Sequence, residues 1–491
     1  MVVFGASGDL CRGKLMPALA RLAARGELPS GFAVVGIART EWDDDEFRQF
    51  ARESTSSLGP ERGDGDPAWR DVVSGFRYVA GEYDRDDTFR ELAKVLEDVD
   101  RTQGTDGNRL YYLAVPPLVV PTVIAALGRH RLAYPPPARR GTFTRIVIEK
   151  PYGTDIRSAQ ELDHSVHEVF DESQVYRIDH FLGKETVQNL LAVRFANAVF
   201  EPIWNRRYVD SVQITVAESV GVGHRAAFFE EVGTLRDMVQ NHVMQILALT
   251  LMEPPITIAA DGIRDEKVKA LRAVEIPDRR HVPDEVVRGQ STDGWVAGQQ
   301  VPGYRQEPGV GPSSTRETYV ALRLLVDNWR WAGVPFYLRT GKRLPKRVSE
   351  VAIQFHDPPH LPFGPDQTRG LKPDALVLRI HPDDGIALIF GTKVPGHGFH
   401  VRSVAMEFLY EAAFPGERPE AYERLLLDAM VGDPTLFIRT DEVMQAWRMM
   451  DPILDAWERD DPPLAFYRAG SWGPVEADDL LRRDGRSWRN P

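Results

Sequence analysis

The chain has 491 residues, 43% of them hydrophobic and 27% charged, a length that predicts two domains and a composition ordinary for globular proteins. Its one cysteine, Cys11, excludes an internal disulfide and a multi-cysteine metal site, so no metal is expected. A formal charge of −12 argues against a nucleic-acid partner, and the lack of a membrane-length apolar run or of a leader segment predicts a cytoplasmic protein without a membrane partner. An anionic substrate would meet a repulsive global field, so a phosphate site must be built from local Lys, Arg and His.

Val2–Phe4 reads as a short strand running into Gly5-Ala6-Ser7-Gly8-Asp9-Leu10, followed by a helical pattern over Lys14–Arg25. Glycines at such a turn let the backbone approach a pyrophosphate, which then sits on an amide-rich helix start. The usual third glycine is replaced by Cys11, a variant spacing, and a tight turn that binds nothing is the bland alternative. The next strand, Phe32–Ala38, ends at Arg39, where an NAD-preferring enzyme would carry an acid for the ribose hydroxyl. An arginine suits a 2′-phosphate, so the predicted cofactor is NADP. Arg12 and Lys14 are further cations near this loop.

Arg109–Val115 and Arg145–Glu149 read as buried strands with helical stretches between, the rhythm of a parallel sheet, and PPPARRG at 135–141 reads as a loop. Lys150 follows a strand end, where parallel sheets present their ligands, and is placed to reach both substrate and nicotinamide. Asp179 and His180 precede FLGKETVQNLLAVRFA, an amphipathic pattern. With a helix starting there, His180 and Lys184 share one face near its positive end, two cations suited to a phosphate.

Beyond about residue 200 the rhythm changes. Val209–Glu218, Thr318–Asp327, Ser349–His356, Ala375–His381, Ile386–Thr392 and Val401–Leu409 read as strands, and HPDDG at 381–385 as a hairpin turn. The Gly-, Pro- and Ser-rich stretch 291–316 is expected to be a long loop, with helices at 419–430 and 440–458. The expected fold is an α/β Rossmann-type N-terminal domain, 1–178, followed by a larger α+β domain, 179–491, with a mainly antiparallel sheet. His242 lies at the start of an apolar helical run and is the expected general base, with Asp179 on its other ring nitrogen. Asp237 and Glu218 are candidates for sugar hydroxyls, Lys342 and Arg347 for a phosphate clamp. Taken singly, each of these charged residues also fits a solvated surface position or a helix cap.

In this order, GASGDL, GIART, EKPYG, RIDHFLGKE, EEVGTLRDMVQNH, DNWRWAGVPFYLRTGKRL and GSWGP resemble the glucose-6-phosphate dehydrogenase family over nearly the whole chain. The resemblance implies oxidation of glucose 6-phosphate at C1 to 6-phosphogluconolactone with NADP as acceptor, the entry step of the pentose phosphate pathway. It implies His242 as base with Asp179, a phosphate held by His180 and Lys184 with Lys150 and Lys342 assisting, sugar hydroxyls on Glu218 and Asp237, and a homodimer or homotetramer joined through the large sheet. Two positions depart from the family pattern, with Phe181 and Ser291 each standing where tyrosine is usual. A related sugar dehydrogenase would share the EKP segment without the His180–Lys184 pair, and a non-catalytic sensor of NADP or sugar phosphate would lack the base or the glycine loop.

Overall fold

The computed structural model describes residues 1–59, 63, 65–134, 142–277, 279–416 and 418–491; the stretch 135–141, read as a loop, lies outside them. Two compact units divide the chain. One comprises Met1–Gly183, Thr257–Arg264 and Arg418–Met444, the other Lys184–Ile256, Asp265–Glu417 and Gln445–Pro491. Among the described residues, no helix is long and apolar enough to cross a membrane.

The first unit is built on a seven-stranded sheet. From one edge its strands are Phe437–Ile438, Val175–Ile178, Thr144–Ile148, Arg109–Leu113, Val2–Phe4, Val35–Ala38 and Arg77–Ala80. All pairings are parallel except that of the two-residue edge strand. Numbered along the chain, the six parallel strands run 3-2-1-4-5-6, the doubly wound order of a dinucleotide-binding fold. Helices such as Asp44–Ser54 and Asp86–Gln103 alternate with the strands. Covered on both faces, strands such as VVF and VGIA are apolar throughout instead of alternating.

The strand Val175–Ile178 carries a buried charge. Arg177 is 2% exposed and donates to Asp163 Oδ1 at 2.9 Å and to Glu172 Oε1 at 2.8 Å. The Thr440 hydroxyl donates to the same Asp163 oxygen at 2.7 Å. One guanidinium therefore ties the helix Ile156–His167 and the Thr440 segment to the strand that delivers Asp179 and His180.

The second unit holds a nine-stranded mixed sheet. Its order is Val401–Leu409, Gly385–Lys393, Ala375–His381, Val348–Phe355, Val209–Ala217, Phe336–Gly341, Tyr319–Leu324, Val286–Thr292 and Ala465–Arg468. Two pairings are parallel, Phe336–Gly341 on Val209–Ala217 and Ala465–Arg468 on Val286–Thr292; the rest are antiparallel. The expected HPDDG hairpin is present, with Arg379 opposite Gly385 and Asp383 at φ 54°.

The expected long loop at 291–316 is corrected. Ser291 is a buried member of the strand Val286–Thr292, and Gly294–Val296 pairs with Gln299–Val301 as a small hairpin. Ala297 and Gly298 turn it, both at positive φ, as a two-residue hairpin turn demands. The hairpin was hidden because its turn places Ala297, not Asn, Asp or Gly, at positive φ, and because Gly and Ser weaken the strand signal around it.

Arg177→Ala removes the guanidinium that Asp163 and Glu172 share, leaving His167 beside both carboxylates. We expect a loss of about 3 kcal/mol, the low end for breaking a buried ion pair, in chemical denaturation. A loss below about 1 kcal/mol would show that the cluster does not hold the strand.

Candidate functional site

In the first unit, a cavity of about 720 Å³ opens where the strand order reverses, between the C-terminal ends of Val2–Phe4 and Arg109–Leu113. Gly5, Ser7, Gly8, Arg39 and Thr40 line it, as do Glu82–Asp84 and Ala114–Pro116. Gly5 stands at φ +83°, and a Cβ there would meet the Ala114 carbonyl oxygen at 2.2 Å. Only glycine fits that turn, and the close backbone it permits is the cradle a pyrophosphate requires. Asp9 and Leu10 lead into a helix that is π-helical over Cys11–Leu15 and α-helical over Met16–Ala24. The Thr40 hydroxyl donates to Ser7 Oγ at 2.8 Å and joins the glycine loop to the second strand end. Arg39 is exposed at the rim. Arg12 lies over the Phe50 ring, 4.5 Å from its centroid.

Lys150 follows the strand Thr144–Ile148, after Glu149. Glu149 is partly buried; its carboxyl pKa is pushed up by desolvation and drawn back by hydrogen bonds from Tyr112 and Tyr422 and by the Lys150 charge. Asp179 and His180 leave the end of Val175–Ile178. Asp179 Oδ1 accepts from the Phe181 N–H at 2.8 Å, and the Leu182 N–H returns to the Asp179 carbonyl at 3.0 Å. This closes a turn instead of starting a helix. The helix begins only at Glu185 with Lys184 at its N-cap position, so the expected helical face shared by His180 and Lys184 does not exist. His180 instead lies edge-on to Phe181, with ring centroids 5.1 Å apart, and stacks on Tyr422 at 6.5 Å. Phe181 is buried.

In the second unit, His242 and Asp237 lie on a π-helix, Leu235–Val243, which continues into the α-helix Met244–Leu251. Such widened turns are rare and often mark functional positions. The whole stretch is buried on nearly every side, His242 at 1% and Asp237 at 4% exposure. Asn241 braces it, its side-chain oxygen accepting from the His242 N–H at 2.6 Å and its amide donating to the Arg236 carbonyl at 3.0 Å. Arg225 approaches Asp237 to 3.9 Å.

Lys342 and Glu218 are brought together, with Nζ 2.6 Å from Oε2. The strand ends that carry them are neighbours, since Ala217 pairs with Gly341. Lys184, Arg347 and His381 form a second group. Ser349 pairs with His381, and the Thr186 hydroxyl donates to the Ile380 carbonyl at 3.2 Å, bringing all three segments to one corner of the sheet. Burial lowers the His381 pKa, and the Arg347 and Lys184 charges lower it further.

Sequence reasoning missed Thr40, the 82–84 loop, Tyr422 and His381. The first two follow strand ends of a parallel sheet, a placement rule that finds them once the strands are known. Tyr422 reaches Glu149 across 273 residues, a contact no local pattern encodes. His381 was absorbed into a turn motif.

Family models cover almost the whole chain. Residues 2–189 match the NAD binding domain of glucose-6-phosphate dehydrogenase, and residues 191–489 match its C-terminal domain. The chain is 48% identical over 493 aligned positions to glucose-6-phosphate 1-dehydrogenase 2 of Mycobacterium tuberculosis, covering 100% of this chain and 94% of that protein. The glucose-6-phosphate 1-dehydrogenase of Chlamydia pneumoniae is 46% identical, with 100% and 95% covered. A glucose-6-phosphate dehydrogenase solved in complex with its substrate glucose-6-phosphate is similar in structure, at TM-score 0.89 and 32% identity, with 100% and 98% of the two chains covered. The corresponding Mycobacterium avium structure gives 0.82 and 36%, with the same coverage. The parallel sheet with its glycine turn, the larger mixed sheet and these full-length likenesses agree: the chain belongs to the glucose-6-phosphate dehydrogenase family.

Proposed function

We propose that this chain is a glucose-6-phosphate dehydrogenase that uses NADP, oxidising C1 of glucose 6-phosphate to 6-phosphogluconolactone. The observation that carries the reading is the likeness to glucose-6-phosphate 1-dehydrogenases over 100% of the chain. The cavity at the Gly5–Gly8 turn fits a nicotinamide dinucleotide, since it offers a close backbone at a helix start. Arg39 at its rim would hold a 2′-phosphate, although Glu82 and Asp84 in the same wall temper its charge. When bound, the nicotinamide accepts the hydride that leaves C1.

His242 takes the proton of the C1 hydroxyl as that carbon becomes a carbonyl, and Asp179 orients the imidazole and stabilises its cation. His180, Lys184, Lys342 and Arg347 supply the positive charge for the phosphate, with Lys150 assisting at substrate and cofactor; the Lys184–Arg347–His381 corner supports this assignment. Glu218 and Asp237 receive sugar hydroxyls. Residues 1–178 act in dinucleotide binding, in a unit that also takes in 257–264 and 418–444, and the rest of 179–491 binds substrate and forms the oligomer contact. A homodimer or homotetramer is supported by the edge strand Val401–Leu409, which exposes Val404, Met406 and Leu409 near exposed Phe399 and Phe414. The cytoplasm is the proposed location.

Purified protein mixed with glucose 6-phosphate should reduce NADP in preference to NAD, read by absorbance of the reduced cofactor. Absence of turnover with both would overturn the assignment. His242→Ala should lower kcat by about 10²–10⁴-fold, the usual worth of a positioned base, and a variant within threefold of wild type would remove His242 from that role. Arg39→Ala should weaken NADP binding by about 1.5–3 kcal/mol, the range for a charged hydrogen bond, and leave NAD nearly unchanged. Equal weakening of both in titrations would contradict the 2′-phosphate contact. Phe181→Tyr should tighten substrate binding by about 0.5–1.5 kcal/mol if a phenol reaches the phosphate. No improvement in the substrate Kd would sink that idea.

A further inference from the structure

We infer that Glu317 is a positioning residue, whose buried side chain caps the π-helix bearing Asp237 and His242 and sets where those groups stand. The inference rests on the proposed roles of those two residues.

Gly233, at φ 69° and ψ 178°, breaks the helical path immediately before Leu235–Val243. A helix that restarts there leaves its first N–H groups without acceptors inside the helix. Thr234 stands at the N-cap position but makes no capping bond with its own side chain. Glu317 does this from another element. Its Oε1 accepts from the Leu235 N–H at 3.0 Å, 82 residues away in sequence. Its carbonyl accepts from the Thr234 hydroxyl at 3.1 Å and from the Thr234 N–H at 3.3 Å. The side chain is 3% exposed, and a Cβ placed on Gly233 would lie 2.3 Å from the same Oε1, so the fit has little slack.

The next residue extends the connection. The Thr318 carbonyl accepts from the Lys342 N–H at 2.8 Å, and Lys342 holds Glu218. Glu317-Thr318 is therefore a joint within the second unit. One residue fixes the start of the Asp237–His242 helix, and its neighbour fixes the strand end carrying Lys342. Nothing in this role needs Glu317 to touch substrate. Its reach matters more than its charge. Burial pushes the carboxyl pKa up while Arg316 and the Leu235 N–H draw it back, and Arg316 itself is held by the Glu230 carbonyl at 2.7 Å.

Three variants separate reach from charge: E317Q keeps the acceptor at full length, E317D withdraws it by one methylene, and T234V removes the 3.1 Å hydroxyl bond with little change of shape. Each is measured for kcat, for KM with glucose 6-phosphate and for amide hydrogen exchange over 235–243. E317Q should stay within threefold of wild type in kcat. E317D should lose at least tenfold in kcat with KM changed less than threefold, and its helix amides should exchange at least tenfold faster. T234V should show the same pattern at about threefold, which keeps the test alive if E317D does not fold. E317D or T234V matching wild type in both kcat and exchange would overturn the inference, as would equal losses in E317Q and E317D. A wild-type protein that does not oxidise glucose 6-phosphate would instead sink the functional reading, while the exchange arm would still judge the cap.

Discussion

Parallel strands in one sheet deliver all their C-terminal ends to the same side, and in the first unit that constraint positions the residues of this unit that the proposed function uses. Gly5 follows Val2–Phe4, Arg39 follows Val35–Ala38, and Ala114 follows Arg109–Leu113. Lys150 comes two residues beyond the end of Thr144–Ile148, and Asp179 with His180 leaves Val175–Ile178. These residues are scattered over about 180 positions of sequence, yet the parallel registers bring their strand ends to one side. The buried Arg177 cluster is what this arrangement costs at the sixth strand, where a charged residue sits in an apolar layer and needs the Asp163 and Glu172 carboxylates on its two terminal nitrogens.

The second unit solves a different problem. A helix carrying Asp237, Gln240, Asn241, His242 and Gln245 is buried almost throughout, so polar groups with chemical duties sit in a low dielectric. Asn241 supports the backbone at both His242 and Arg236, and Glu317 closes the helix start. The same low dielectric that makes an unpaired group expensive also strengthens whatever such a base or acid does to a bound sugar. Lys342 and Glu218 hold one another across two adjacent strand ends, and both are proposed to meet substrate. A ligand entering there would find its partners already oriented by that pair.

Much of this was legible in the sequence because the strongest determinants are local. The glycine turn, the apolar strands and the Asp-Gly hairpin each declare themselves within a few residues, and the family motifs run through the whole chain. Failures occurred where a side chain competes with backbone regularity or where partners are distant. The helix expected from His180 starts five residues later because the Asp179 carboxylate captures the Phe181 N–H. The hairpin after Thr292 was hidden because Ala297 adopts positive φ, a conformation alanine seldom shows. Tyr422 and Glu317 act across long sequence separations, which no periodicity records.

The central claim is that hydride leaves C1 of glucose 6-phosphate for a nicotinamide held on the first unit, while a side chain takes the hydroxyl proton. Turnover of glucose 6-phosphate carrying deuterium at C1, with the reduced cofactor recovered and analysed by mass spectrometry and NMR, tests it most directly. The account predicts one deuterium on the nicotinamide ring of every reduced NADP and none released to water. Deuterium in solvent, or reduced cofactor free of label, would contradict direct transfer from C1 and with it the reading of the site.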